Sequence, residues 1–98
     1  MQTKIGSYIG YAIKSGNIVF GVENIVSCRK VKVILADKTL SENSYDKVRF
    51  FANKMNIKIF RIVVEDYYKG RNCKAMGITE SNLSAAIIKE MEESEKNG

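Results

Sequence analysis

The feature of this 98-residue sequence that most constrains its fold is an apolar run from Val31 to Ala36. The run is short and rich in β-branched residues, and no polar residue interrupts it after Lys32. A strand with one solvated face alternates apolar and polar residues, whereas a strand covered on both faces does not. The run therefore predicts the central strand of an α/β sheet.

Gly21 marks a predicted turn into a short helix upstream of that strand. Glu23 and Asn24 are polar, and Ile25 and Val26 supply an inward-facing side. A helix that starts beside a strand presents backbone N–H groups to an anion, so this turn is a candidate binding site. The alternative is that Glu23 and Asn24 have a structural role only, in which they cap the helix and complement its dipole.

The rest of the chain alternates helical and extended patterns. Helices are predicted over Gln2–Lys14, Ser41–Asn56 and Glu65–Met76, the last one capped by Gly77, and strands over Ile18–Phe20, Ile57–Val64 and Leu83–Ile88. From Lys89 onward we expect at most a fraying helix. Regular alternation with short connections predicts a three-layer α/β/α sandwich with a four-stranded mixed sheet. The length fits a single domain over residues 1–98.

Composition removes several classes of function. The chain has no histidine, and its two cysteines, Cys28 and Cys73, have no metal-ligand spacing. Cys/His nucleophiles, histidine bases and histidine-containing metal sites are thereby excluded. The sequence also lacks a GxSxG elbow, a Walker loop and a dinucleotide fingerprint. We therefore expect a protein that is not an enzyme and has no cofactor. Because no apolar run reaches membrane length, we also expect a cytoplasmic protein. The expected oligomeric state is a monomer.

The positive charge is unevenly distributed along the chain. The formal net charge is +5, but residues 89–98 hold four Glu and two Lys, so residues 1–88 carry +7. A body this basic predicts binding to a polyanion. The alternative is a lysine-rich solvated surface. The cluster Arg29–Lys32 is part of that basic body, and it also has a structural alternative, since positive charge at a helix end offsets the dipole.

Two stretches together resemble a known family. The first stretch is residues 9–21. It consists of a mostly apolar helix end with a glycine (residues 9–13), the basic Lys14, the small Ser15 and Gly16, and it continues with Ile18-Val19-Phe20 and Gly21. Val33–Asp37 and Ser41–Ser44 add an apolar strand, an Asp and a Ser-Glu-Asn-Ser pattern. This order is similar to that of the kink-turn RNA-binding ribosomal protein superfamily, which includes the archaeal large-subunit type seven-Ae and eukaryotic type thirty-e proteins. It looks closest to the bacterial YlxQ-like branch.

The resemblance implies a sandwich without catalytic activity that binds RNA internal loops, in which the backbone bends sharply beside sheared G·A pairs. It also implies three RNA-contacting segments: a Gly-x-Asn-Glu turn at the second helix, a Lys three residues later, and an apolar-capped loop before the last strand. Here these segments correspond to Gly21–Asn24, Ser27 and residues 78–82. Ile78 then has two interpretations, as a contact for an unstacked base or as a plug at a helix–strand junction.

The expected partner is structured RNA, ribosomal or regulatory, with ribosome or ribosome-assembly proteins as further partners. The candidate RNA-binding residues are Lys14, Gly21, Val22, Glu23, Asn24, Ser27, Lys32, Lys38, Ile78 and Thr79. The alternative is a protein-interaction or ribosome-assembly module with the same fold that has lost selective RNA recognition. The reversed order of Glu23 and Asn24, and the absence of a cation at Ser27, favour this alternative.

Overall fold

The computed structural model describes residues 3–68 and 73–97. The helices are α1 (Thr3–Ser15), α2 (Val22–Val26), α3 (Glu42–Met55) and α4 (Ser81–Asn97). The strands are β1 (Ile18–Phe20), β2 (Val33–Asp37), β3 (Lys58–Ile62) and β4 (Ala75–Ile78), and a short 3-10 helix, Val64–Asp66, follows β3.

The four strands form one mixed sheet in the order β1-β4-β2-β3. β4 is antiparallel to both of its neighbours, with Ile78 opposite Ile18 in β1 and opposite Val33 in β2. β2 and β3 are parallel. Every residue of β2 is buried. The predicted mixed sheet and its covered strand are both confirmed.

Helices cover both faces of the sheet. The side chains of β2 point alternately into two apolar clusters, one on each face. Val33 and Leu35 belong to a cluster that contains residues of α1 and α4. Ile34 belongs to a second cluster that contains residues of α2 and α3. The predicted three-layer α/β/α sandwich is therefore confirmed. Among the helices in the described ranges, none combines the length and the apolar composition needed to cross a membrane.

Local signals define α3 as the sequence predicts. The Ser41 side chain accepts a hydrogen bond from the Ser44 amide at 3.3 Å, which satisfies one of the amides left open at a helix start. Val48 and Ala52 are fully buried on the inner side of the helix. Asn56 ends the helix in the left-handed conformation, with φ 58°, and its amide binds carbonyl groups of the last turn.

The prediction of a helix over Glu65–Met76 is wrong for the residues that the structure describes. The helical part is a single 3-10 turn, Val64–Asp66, and Ala75 and Met76 belong to β4. Residues 69–72 lie outside the described residues. Gly77 is a strand residue instead of a helix cap. A Cβ there would come within 3.1 Å of both Val31 methyl groups, so Gly77 allows close packing against Val31.

The predicted strand Leu83–Ile88 is also wrong, because these residues belong to α4. A short apolar run does not distinguish a buried strand from a buried helix. The buried residues Leu83, Ile87 and Met91 recur every four positions, which is a helical spacing. The Glu80 carboxylate also accepts hydrogen bonds from the amides of Asn82 and Leu83, at 3.0 and 2.7 Å. α4 then continues to Asn97, through the segment after Lys89 for which the sequence predicts at most a fraying helix.

The two ends of the sheet are the places where site residues gather, and we name each by one residue. At the Gly21 end, β1, β2 and β3 finish and β4 begins. At the Lys32 end, β1, β2 and β3 begin and β4 finishes.

Candidate nucleic-acid interface

The turn at Gly21 is held against the first residue of β4. Gly21 has φ 92° and ψ 147°, a backbone conformation that disfavours residues with a Cβ. Its amide donates to the Ala75 carbonyl at 3.0 Å, and its carbonyl accepts from the Ile25 amide at 3.0 Å. The turn therefore leads β1 directly into α2 and fixes both next to β4.

The two polar residues of this turn make contacts within the protein. The Asn24 amide nitrogen donates to the Phe20 carbonyl at 2.9 Å, so the side chain folds back over the turn. Its Oδ1 accepts no hydrogen bond from the described residues, and the residue is exposed. The Glu23 carboxylate pairs with Lys47 of α3 at 3.0 Å, and both side chains are exposed. Exposed pairs of this kind add at most about 1 kcal/mol, so Glu23 is not firmly held.

α2 has only five residues, Val22–Val26. Its dipole is correspondingly small, and the helix start alone gives an anion little stabilisation. Val22 is half-buried against the α2–α3 cluster. The Ser27 hydroxyl donates to the Glu23 carbonyl at 2.8 Å, which occupies it at the end of the helix.

The loop before the last strand is not the one that the sequence predicts. Because β4 is Ala75–Ile78, the described residues that precede it are 67–68 and 73–74, whereas residues 78–82 run from the end of β4 into the first turn of α4. On the near side of this loop, Tyr68 stacks on Phe20 with ring centroids 5.5 Å apart. On its far side, the Lys74 carbonyl accepts from the Asp37 amide at 2.7 Å. Tyr68 and Lys74 are thus neighbours of the Gly21 turn that the sequence prediction missed.

Asp37 holds segments of the Gly21 end together through hydrogen bonds to its side chain. Its buried carboxylate accepts hydrogen bonds from the Val64 amide at 2.8 Å, the Thr39 amide at 2.9 Å and the Thr39 hydroxyl. Burial alone raises the pKa of Asp37, but these hydrogen bonds and the Lys74 charge outweigh it and hold the pKa below its ordinary value. Asp37 thereby fixes the end of β2 and the adjacent Lys38, whose side chain is exposed.

The structure does not bring the ten predicted residues together. Gly21, Val22, Glu23, Asn24 and Lys38 lie at the Gly21 end, with Ser27 at the far end of α2. The other four, Lys14, Lys32, Ile78 and Thr79, lie at the Lys32 end, where the Lys32 amide donates to the Ile78 carbonyl at 2.7 Å.

Ile78 is fully buried. Its side chain belongs to the core cluster between the sheet and α1 and α4, so the plug is the interpretation that the structure supports. Thr79 is half-buried, and its amide donates to the Asn17 carbonyl at 3.0 Å. Within the described ranges, no three Cys, Asp or Glu residues form a group able to hold a metal ion.

Comparison with known proteins identifies the fold. No protein-family model and no curated protein matches the chain. The solved structure of a protein of unknown function from Bacillus halodurans C superimposes with a TM-score of 0.84 over 91% of this chain and 97% of that one. The two sequences are 12% identical, so the likeness shows a shared three-layer fold.

Proposed function

We propose that this chain is a non-catalytic RNA-binding protein of the ribosomal type, and that it recognises a kink-turn or a similar internal loop through its Gly21 end. The observation that carries the proposal is the hydrogen bond from the Gly21 amide to the Ala75 carbonyl. It joins the glycine turn to the start of the last strand. Two of the segments that the family resemblance assigns to RNA contact are therefore neighbours.

The surface around this hydrogen bond has the chemistry that such recognition needs. The free Oδ1 of Asn24 is an acceptor suited to a base edge. Lys38 and Lys74 are exposed on neighbouring strand ends and suit phosphate oxygens. Tyr68 offers a half-buried ring beside the turn. RNA that is read at a loop or kink is recognised by such a mixture of shape, stacking and a few polar contacts.

One observation favours a protein-interaction or ribosome-assembly module instead. Glu23 pairs with Lys47, so the turn presents a salt bridge where a base-reading carboxylate is expected. On the same helix as Lys47, Phe50 is 73% exposed. A large exposed aromatic side chain is a common anchor in protein–protein contacts.

The test is a gel-shift titration with a kink-turn RNA and with the same RNA after replacement of its G·A pairs, at low and at physiological salt. We expect tight binding to the first RNA and weak, salt-sensitive binding to the second. Weak binding to both RNAs that disappears with salt would refute the proposal and favour a protein partner.

Asn24→Ala tests the proposed contact, with Asn53→Ala as its matched control. Both asparagines are exposed helix residues, but Asn53 lies on α3 near the Lys32 end. We expect Asn24→Ala to reduce the preference for the kink-turn roughly tenfold, which corresponds to one lost polar base contact, and Asn53→Ala to leave it unchanged. Equal preference in wild type and Asn24→Ala would remove Asn24 from the interface.

A further inference from the structure

The basic residues of this protein concentrate at the Lys32 end, away from the Gly21 turn. Four segments meet there: residues 14–17, 27–32, 54–58 and 79–82. They contain six basic residues and one acidic residue. These are Lys14, Arg29, Lys30, Lys32, Lys54 and Lys58, with Glu80 as the acidic member.

The Gly21 end is close to neutral. Its described segments, residues 21–24, 37–42, 63–68 and 73–74, contain two lysines and five acidic residues. These are Lys38 and Lys74, with Glu23, Asp37, Glu42, Glu65 and Asp66. Two further cations reach this end from α3 and β3, since Lys47 pairs with Glu23 and the Arg61 guanidinium donates to the Asp37 and Lys38 carbonyls. The surface proposed for shape-selective recognition is therefore not the one that accounts for the net charge of +5.

Most cations at the Lys32 end are available to a ligand. Lys14, Arg29, Lys30, Lys32 and Lys54 are exposed, and none forms an ion pair with the described residues. Lys58 alone is paired, with Glu92. The nearby carboxylate of Glu80 is already engaged with the first amides of α4. Glu80 keeps its negative charge, so with Glu92 included six basic residues face two acidic ones, and the surface remains net positive.

Helix dipoles do not explain this cluster. Lys14 and Lys54 lie in the last turns of α1 and α3, where positive charge is favourable. Arg29, Lys30 and Lys32 lie beyond α2, whose last turn contains no basic residue. Three of the five available cations thus have no intramolecular role in the described structure.

The loops that carry these cations are fixed to one another. The Lys32 amide donates to the Ile78 carbonyl, and the adjacent Thr79 amide donates to the Asn17 carbonyl. These two hydrogen bonds connect the entrances of β1 and β2 through the exit of β4. The cations therefore occupy defined positions on one surface, and they do not depend on mobile tails.

We propose that the Lys32 end is a second RNA-binding surface, which contacts the phosphate backbone of duplex RNA regardless of sequence. The inference rests on the proposed function in taking RNA as the ligand. Lysine is a compact charge that suits phosphate oxygens, and a contact to phosphate carries no sequence information. A strand of five residues spans roughly 16 Å, so the two surfaces are separated by about the length of the sheet. The protein then engages a structured loop at one end and helical RNA at the other.

The experiment compares the wild-type chain with the double variant Lys30→Gln/Lys32→Gln. The control is Lys4→Gln/Lys89→Gln, which removes the same amount of charge from exposed positions on α1 and α4. The probes are the kink-turn RNA and a short RNA duplex without internal loops. Loss of two phosphate contacts lowers the slope of log affinity against log salt concentration by about 1.8. When salt rises from about 50 to 200 mM, the affinity of wild type should therefore fall by a factor about twelve times larger than that of the Lys30/Lys32 variant.

We expect the Lys30/Lys32 variant to lose affinity for both RNAs alike at low salt and to keep the preference for the kink-turn. A variant with the wild-type salt slope, or a control that loses as much affinity, would overturn the inference. Equally tight binding of polyglutamate at the same surface would assign it to an acidic protein instead. If the proposed function fails, the kink-turn preference is absent in wild type, whereas duplex binding still depends on Lys30 and Lys32.

Discussion

Replacement of Asp37 by Asn tests how the Gly21 end is held together. The Asp37 carboxylate accepts hydrogen bonds from the amides of Val64 and Thr39, one on each oxygen. An Asn side chain has one oxygen, so one of these two amides then faces an NH₂ group. A buried donor without an acceptor costs about 1–3 kcal/mol. We therefore expect Asp37→Asn to lower the free energy of unfolding by about that amount at neutral pH.

The pH dependence gives the sign of the effect. The pKa of Asp37 is held below its ordinary value of 3.8 in the folded chain. The carboxylate therefore contributes stability that is fully present above the unfolded-state pKa and is lost as pH falls through the folded-state pKa. The stability difference between wild type and Asp37→Asn should be largest near neutral pH and should shrink below the ordinary pKa.

Urea denaturation followed by circular dichroism at neutral and acidic pH measures this difference. Asp46→Asn is the matched control, because Asp46 is an exposed carboxylate on α3 and, among the described residues, pairs only with Arg49. The control should change the free energy of unfolding by no more than about 0.5 kcal/mol. The reasoning is refuted if Asp37→Asn is as stable as wild type at neutral pH, or if the difference is the same at all pH values.

Two further substitutions test packing and capping by the same denaturation assay. Gly77→Ala should lower the free energy of unfolding by about 1–3 kcal/mol, because the added methyl group meets Val31 at 3.1 Å. Val31→Ala in the same chain should reduce that loss. Strictly additive effects of the two substitutions would contradict the close-packing explanation. Ser41→Ala should cost about 1 kcal/mol by removing the acceptor for the Ser44 amide, and Ser41→Asp should retain most of the stability.

The layer architecture is predictable because it depends on the pattern of apolar residues along the chain. The run from Val31 to Ala36 lacks polar alternation, and the strand it contains is buried along its whole length. The cap at Ser41 and the apolar side of α3 are equally local signals. Each of these depends on residues within one or two helical turns, so sequence alone specifies them.

The last third of the fold is less predictable because its signals are short. β4 has four residues, one of them a glycine, and resembles the end of a helix. Leu83–Ile88 has the composition of a buried strand, and only Met91 and the cap from Glu80 reveal the helix. Glu80 and Met91 lie outside the segment that was predicted as a strand.

The candidate site was predicted in part for the same reason. The Gly21 turn is local and lies where the sequence predicts it. Which loop lies beside it depends on which strand pairs with β1, and this is a long-range property. Assigning the last strand to 83–88 moved the expected loop to residues 78–82, at the opposite end of the sheet from Gly21. For the same reason, the sequence does not predict that Lys32 and the Gly21 turn lie at opposite ends of the sheet.

The position of β4 in the sheet has a consequence for synthesis of the chain. β1 pairs only with β4 within the described sheet, and β4 is the last strand to leave the ribosome. During translation, β2 and β3 can pair early, whereas β1 waits for a partner more than fifty residues downstream. The carbonyl groups that fix Gly21 and Lys32 both belong to β4. Both surfaces therefore become complete at the same late step, and an unfinished chain has neither of them in its final geometry.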